Sequence, residues 1–469
     1  MTAVTSRRTM SMPVLTSMVV GSMVGAGIFS LPSSFAESAG GTGALLAWAV
    51  AGGGMLMLAL VFQRLAMRRP DLDSGIVAYA KAGFGPYVGF FSAFGYWASA
   101  CIANVTYWVL LASTLGTWMP ALGDGDTGWA FALGTLGLWA FHLLLARGVS
   151  QAAVLNAITT VAKVVPLAVF IIVLIFAGFS WDTFVTNLTA ADALGPLADQ
   201  VRSTMLVTVF VFLGVEGASV YSRYARRRED VGRATVLGFL TVLALFVAVT
   251  MLSYGVMPRE ELAGLRQPSV AGVLEHVVGA WGVWFIGIGL SISVLGAYLA
   301  WLMLAAEVLF EAATQDDAPR VLARTNARGV PIAALTASSL ATQVFLVLTH
   351  LSSSAFDFSL ALTSALALLP YLLTAGFGLK EALGPRRLSG AVAIAAVAVV
   401  YTAYLVYAAG PTYLLLALLV YAPASALYVW ARRERGLRVF SRAEAILCAL
   451  SVAGALVAVV ALATGAISI

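Results

Sequence analysis

Charge is scarce in this sequence. Only 10% of its 469 residues are Asp, Glu, Lys or Arg, against 61% hydrophobic, and the mean hydropathy is +0.94. A soluble domain carries about 25% charged residues, so a soluble fold is excluded and a polytopic, all-helical membrane protein is indicated. Cysteine is nearly absent. Cys101 and Cys448 each sit inside an apolar run, which excludes a disulfide framework and a cysteine-rich metal site. Histidine is equally rare, and His142, His276 and His350 lie far apart with no metal-ligand spacing. A membrane enzyme would need His, Asp or Glu clustered at one membrane face, and a channel would need repeated polar rings. Neither pattern is present. The net charge of +5 comes from basic residues dispersed between spans, so no nucleic acid, metal or cofactor is expected as a partner.

Long apolar runs are what the chain does have. Runs of about 18 residues or more predict spans at 13–37, 43–65, 85–118, 128–146, 152–178, 202–224, 232–256, 280–310, 331–349, 355–379, 388–408 and 412–431, with a thirteenth at 443–465. Ser6-Arg7-Arg8 before the first run resembles a twin-arginine export signal, but no A-x-A cleavage pattern closes it. Residues 1–12 are therefore expected to remain as a cytoplasmic N-terminus. With that orientation, every basic residue except Lys163, Arg202, Arg259 and Arg266 falls on the cytoplasmic side, as the positive-inside rule requires. One missed span would scramble the pattern.

Within the first span, Gly21 to Ile28 read G-S-M-V-G-A-G-I. Each glycine costs a helix about 1 kcal/mol relative to alanine, and unwound backbone is tolerated at membrane depth only where it lines a cavity. A second such segment, F-L-G-V-E-G-A-S from Phe212 to Ser219, lies in the sixth span. Two broken helices at corresponding positions of two five-span halves, 13–178 and 202–379, are the pattern of an inverted-repeat secondary transporter. Spans at 388–431 and 443–465 follow these halves. The competing reading is that the glycines are small-residue packing faces.

Two ionisable residues lie deep in this map, each costing about 2.5–3.5 kcal/mol if unaided. Glu216 sits at the second break, where it would accept from freed backbone N–H groups and act as the pivot of a gate. Lys163, in the fifth span, would donate to carbonyls released by the first break. It is either a proton-coupling group or a permanent staple between spans 5 and 1. The run Arg226-Arg227-Arg228-Glu229-Asp230 reads as a topological anchor. Among aromatics, Trp108, Trp118, Trp129, Trp181 and Trp430 suit interfacial belts. Trp301 lies inside span 8, where a cation over its face gains about 2 kcal/mol, roughly a thirtyfold preference.

Four stretches carry a resemblance. G-S-M-V-G-A-G-I-F and R-P-D-L-D-S-G-I-V-A-Y-A-K-A-G-F-G-P (Arg69–Pro86) resemble the amino acid–polyamine–organocation (APC) superfamily, whose members share a LeuT-like five-plus-five inverted repeat. The span 6 stretch from Phe212 to Thr235 and L-G-A-Y-L-A-W-L-M-L-A-A-E-V-L-F-E-A-A (Leu295–Ala313) are similar to the basic amino acid antiporters, specifically the arginine/ornithine exchangers. The likeness covers about residues 10–430. It implies that the backbone at Ala26 and Gly27, with Ser22 nearby, holds a substrate carboxylate, and that carbonyls of Met23, Phe210 and Leu213 hold the α-ammonium. It also implies that Trp301 stacks on the guanidinium, with Ser99, Ala100 and Asn104 lining span 3. Tyr96 and Glu216 would gate the cytoplasmic side, and Phe210 would form the lid. Lys163 would occupy the place of a sodium ion in cation-coupled relatives. A tryptophan of the arginine/agmatine exchangers is Phe210 here, and a serine of their carboxylate-binding break is Ala26; both departures suit the ornithine-exchanging branch. The resemblance implies a non-enzymatic exchanger in a bacterial-type cytoplasmic membrane, importing arginine and exporting ornithine, with a homodimer left open. A proton-coupled symporter using Lys163, or an exchanger of histidine/histamine, lysine/cadaverine or arginine/agmatine, is the alternative.

Overall fold

The computed structural model describes residues 11–72, 75–148, 152–189, 194–216, 228–352, 354–384 and 389–467, and among these every regular element is a helix. Gly217, Ala218 and Ser219 of the second break lie outside the described residues, as do Arg7, Arg8, Arg223, Arg226, Arg227, Arg386 and Arg387. Span 1 is broken as expected. Helix α1 (Met12–Met23) gives way at Val24 and Gly25 to a tight turn over Ala26–Ser30 and then to α2 (Leu31–Ser38), with a bend of 54° between the halves. Spans 2 to 5 follow as α3 (Gly41–Arg68), α5 (Pro86–Gly116), α6 (Gly128–Ala146) and α7 (Ala152–Val173), with a short helix α4 (Ile76–Phe84) between α3 and α5. After α8 (Trp181–Thr189), α9 (Leu197–Phe212) is only 16 residues long and stops at the second break.

After that break come α10 (Arg228–Ser253) and two short helices, α11 (Arg259–Ala263) and α12 (Ser269–Val278). Long apolar helices complete the chain: α13 (Trp281–Thr314), α14 (Ile332–His350), α15 (Ala355–Ala382), α16 (Ser389–Ala408), α17 (Gly410–Glu434) and α18 (Arg442–Ala463). Eleven described helices are long and apolar enough to cross a membrane, or twelve with the bent pair. The half-span α9 falls where span 6 was expected. The thirteenth apolar run is α18, opened by a capping box in which Ser441 and Glu444 satisfy each other's backbone amides. Helices α4, α11 and α12 were not foreseen, because each is too short for an apolar-run count.

Helix α5 is the axis of the fold. Almost all of it is buried, packed by α13, α14, α15 and α17. Close approach of helices in hydrocarbon depends on small residues. A Cβ on Gly95 of α5 would stand 1.7 Å from the Tyr421 hydroxyl, which donates to the Leu366 carbonyl at 2.8 Å. Trp108 departs from the belt reading. It is buried, with a Cβ on Gly137 of α6 falling 1.9 Å from its ring, because α6 and α13 close over it. Trp129, Trp181 and Trp430 are more than half exposed, as a belt requires.

Both ends of the bundle are tied across the repeat. At one end, Arg259 donates to the Ala36 carbonyl at 2.9 Å and Tyr254 to the Ala39 carbonyl at 2.7 Å, binding α2 to the region that follows α10. At the other, Lys81 of α4 meets Asp317, after α13, at 2.5 Å. Burial pushes the Asp317 carboxyl up, and the Lys81 ammonium pulls it part of the way back.

Small-residue packing makes a test at two adjacent positions of α3. A Cβ on Gly54 would stand 2.1 Å from the Tyr401 ring of α16, whereas one on Gly53 meets nothing within 4 Å. Gly54→Ala is expected to destabilise the protein by about 1–3 kcal/mol, and Gly53→Ala to leave it unchanged or gain up to about 1 kcal/mol. Thermal unfolding in detergent reads both; equal effects would contradict this packing.

Candidate functional site

The first break divides its unpaired backbone groups into two sets. Where α1 ends, the Lys163 ammonium donates to the carbonyls of Gly21 and Val24, each at 2.9 Å, and Lys163 is only 6% exposed. This is the geometry expected of a lysine serving carbonyls released by the break. Where the chain starts again, the amides of Gly25, Ala26 and Gly27 donate to no described residue. They are the orphan N–H groups of a half-helix N-terminus, and the helix dipole makes that end attractive to a negative charge. One side of the break is satisfied by the protein; the other is left open.

The second break touches the first. Gly214 has φ +102°, and a Cβ on it would stand 2.3 Å from the Ser22 carbonyl. Only glycine meets both conditions. The Ser22 hydroxyl donates to the Gly214 carbonyl at 3.0 Å and to Val19 at 2.8 Å, so it is engaged in holding the two breaks together. Phe210 packs against the turn of span 1: a Cβ on Gly27 would fall 2.7 Å from its ring. Within the second break, the buried Glu216 carboxylate accepts from the Tyr96 hydroxyl of α5 and, at 2.9 Å, from the Tyr371 hydroxyl of α15. The expected Tyr96–Glu216 pair is therefore formed, with Tyr371 as an unforeseen third member.

Between the breaks lies a narrow cavity of about 10 Å³, room for roughly one water molecule. Its wall includes Ser22, Met23, Ala26, Gly27, Phe210, Leu213 and Trp301, all of which the sequence had singled out, together with Gly25, Ala103, Tyr107 and Val211. Trp301 reaches it from α13, half-buried. The three expected α5 residues are not in the wall. Ser99 donates to the Thr363 carbonyl at 2.8 Å, Ala100 is fully buried, and Asn104 is fully buried with neither carboxamide atom partnered among the described residues. Ala103 and Tyr107 stand on the wall instead, one helical turn apart. Stepping three residues from Asn104 along α5 finds Tyr107, so helical spacing carried a signal that motif matching did not.

Among the described residues, no carboxylate stands in this wall. It offers free amides at the span 1 turn, the Met23 carbonyl, which accepts from no described residue, and aromatic faces. Such a site suits a zwitterionic head group, and it can hold a cationic side chain by stacking rather than by ion pairing.

Known proteins place the chain. The family described as amino acid permease matches residues 10–426. The arginine/ornithine antiporter of Pseudomonas aeruginosa is 47% identical over 95% of each chain. The L-lysine transport protein of Corynebacterium glutamicum is 42% identical, covering 100% of this chain and 98% of its own. The arginine/agmatine antiporter of Chlamydia abortus is 36% identical, covering 90% of this chain and 89% of its own. With an all-helical body of eleven to twelve membrane-crossing helices, a cavity between two helix breaks and these relatives, the chain belongs to the amino acid permease family of multi-pass membrane transporters.

Proposed function

We propose that the protein exchanges cationic amino acids across the cytoplasmic membrane, arginine entering as ornithine leaves, by alternating access with its N-terminus inside. The observation that carries this reading is the cavity itself, with unpartnered amides of the span 1 break and the Trp301 ring in one wall. The carboxylate would sit on Ala26 and Gly27, the α-ammonium on carbonyls of Met23, Phe210 and Leu213, and the cationic side chain against Trp301. The names of the Pseudomonas, Corynebacterium and Chlamydia relatives support a cationic amino acid as the substrate class.

The five-span halves, 13–178 and 202–379, would rock against each other. Phe210 would close over substrate, and the Tyr96–Glu216–Tyr371 cluster would open and shut the cytoplasmic route. Exchange follows if an empty carrier crosses its barrier slowly and bound substrate lowers it. Symport with protons through Lys163 is the second reading, favoured by that residue's burial in the membrane interior.

Proteoliposomes separate these readings. Labelled arginine is expected to enter vesicles loaded with ornithine and to stay out of empty ones. Uptake into empty vesicles driven by a pH gradient would contradict obligate exchange and support symport. Trp301→Ala is expected to weaken arginine binding tenfold or more, up to the roughly thirtyfold that about 2 kcal/mol of desolvated cation–π energy represents; unchanged affinity would remove Trp301 from the site. Glu216→Gln is expected to slow exchange more than it weakens binding, and equal losses would argue against a gating role.

A further inference from the structure

The Tyr107 hydroxyl is a donor with no partner among the described residues. Tyr107 is 4% exposed, lies in the cavity wall, and hydrogen-bonds to no described residue. Its oxygen stands 3.6 Å from where a Cβ on Gly25 would be. Leaving a buried hydroxyl unsatisfied is costly, and buried tyrosines generally find a partner. Here the missing partner must come from the cavity.

What the hydroxyl faces decides its chemistry. It points at the span 1 turn, where the amides of Gly25, Ala26 and Gly27 are also without described partners. Nearby side chains add no other donor there: Ala26 has no hydroxyl, and the Ser22 hydroxyl is spent on Val19 and Gly214. A carboxylate has two oxygens and about four acceptor sites. A cluster of amides and one phenol matches it, and the Met23 carbonyl beside Gly25 is left for an ammonium.

We propose that Tyr107 determines specificity at the head-group end of the site: its hydroxyl donates to the substrate carboxylate and thereby selects amino acids over carboxyl-blocked or decarboxylated analogues. This rests on the reading of the protein as an amino acid carrier, but not on which amino acids it carries. A hydrogen bond to a charged acceptor is stronger than one between neutral groups. An analogue lacking the carboxylate leaves the phenol and the amides unpaired, and that is how such sites reject it.

The test uses the full-length protein and calorimetric binding of L-arginine and L-argininamide, which keeps both the α-ammonium and the guanidinium. Tyr107→Phe keeps the ring and removes only the hydroxyl. It is expected to weaken L-arginine about tenfold and L-argininamide much less, because the carboxamide oxygen accepts only a neutral, weaker bond. Adding Ala26→Ser, which puts a hydroxyl back into the break, is expected to recover several-fold of the loss. Equal weakening of both ligands would overturn the proposal, since the hydroxyl would then be reading the side chain or supporting the fold. Unchanged arginine binding would overturn it too. If the wild type binds another amino acid and not arginine, the arginine/ornithine reading fails while the same comparison, of that amino acid with its amide, still decides the role of Tyr107. A wild type that binds no α-amino acid overturns both.

Discussion

The contact of the Lys163 ammonium with the carbonyls of Gly21 and Val24 is the interaction on which the rest of the site depends. Backbone groups without partners cost several kcal/mol each in hydrocarbon, so a helix broken at membrane depth would otherwise rewind or fill with water. Lys163 offsets that cost at the end of α1, the half-helix end where the dipole favours a cation. A buried ammonium is itself expensive; here its compensation is two carbonyls at hydrogen-bonding distance. The amides on the other side of the break then remain without described partners and face the cavity.

Two constraints couple this break to its counterpart in span 6. The close packing of Gly214 on the Ser22 backbone leaves no room for a side chain, so a displacement of span 6 is felt at once by span 1. A few residues further on, Glu216 gathers hydroxyls from α5 and α15. Span 6 is thus fastened to span 1 at the cavity and to spans 3 and 10 beside it. Under the proposed mechanism the first attachment would move as a unit, and the second would break and re-form.

Much of this was legible in the residues, for physical reasons. Glycines cost helix stability, so three between Gly21 and Gly27 announced a break, and the 54° bend confirms it. A lone lysine in an apolar run needs acceptors, so Lys163 could be assigned to freed carbonyls before any geometry was known. What stayed hidden depended on side-chain direction. Motif matching placed Ser99, Ala100 and Asn104 at the cavity, but the rotation of α5 turns Ala103 and Tyr107 to the wall. Tyr371 joined the Glu216 cluster unannounced, because it is contributed by a helix 155 residues away along the chain. Trp108 looked interfacial by position and is buried by the close approach of α6, which only the glycine at 137 permits.

The claim at the centre is that the Lys163-stabilised break holds its amides free for a substrate carboxylate. Amide resonances of Gly25 and Gly27, followed by NMR in selectively 15N-labelled protein in bilayers, report on this directly. Arginine is expected to move both amide protons downfield, as a charge-assisted hydrogen bond requires, and agmatine, which has no carboxylate, to leave them in place. Shifts that are the same for the two ligands, or absent with saturating arginine, would contradict the account.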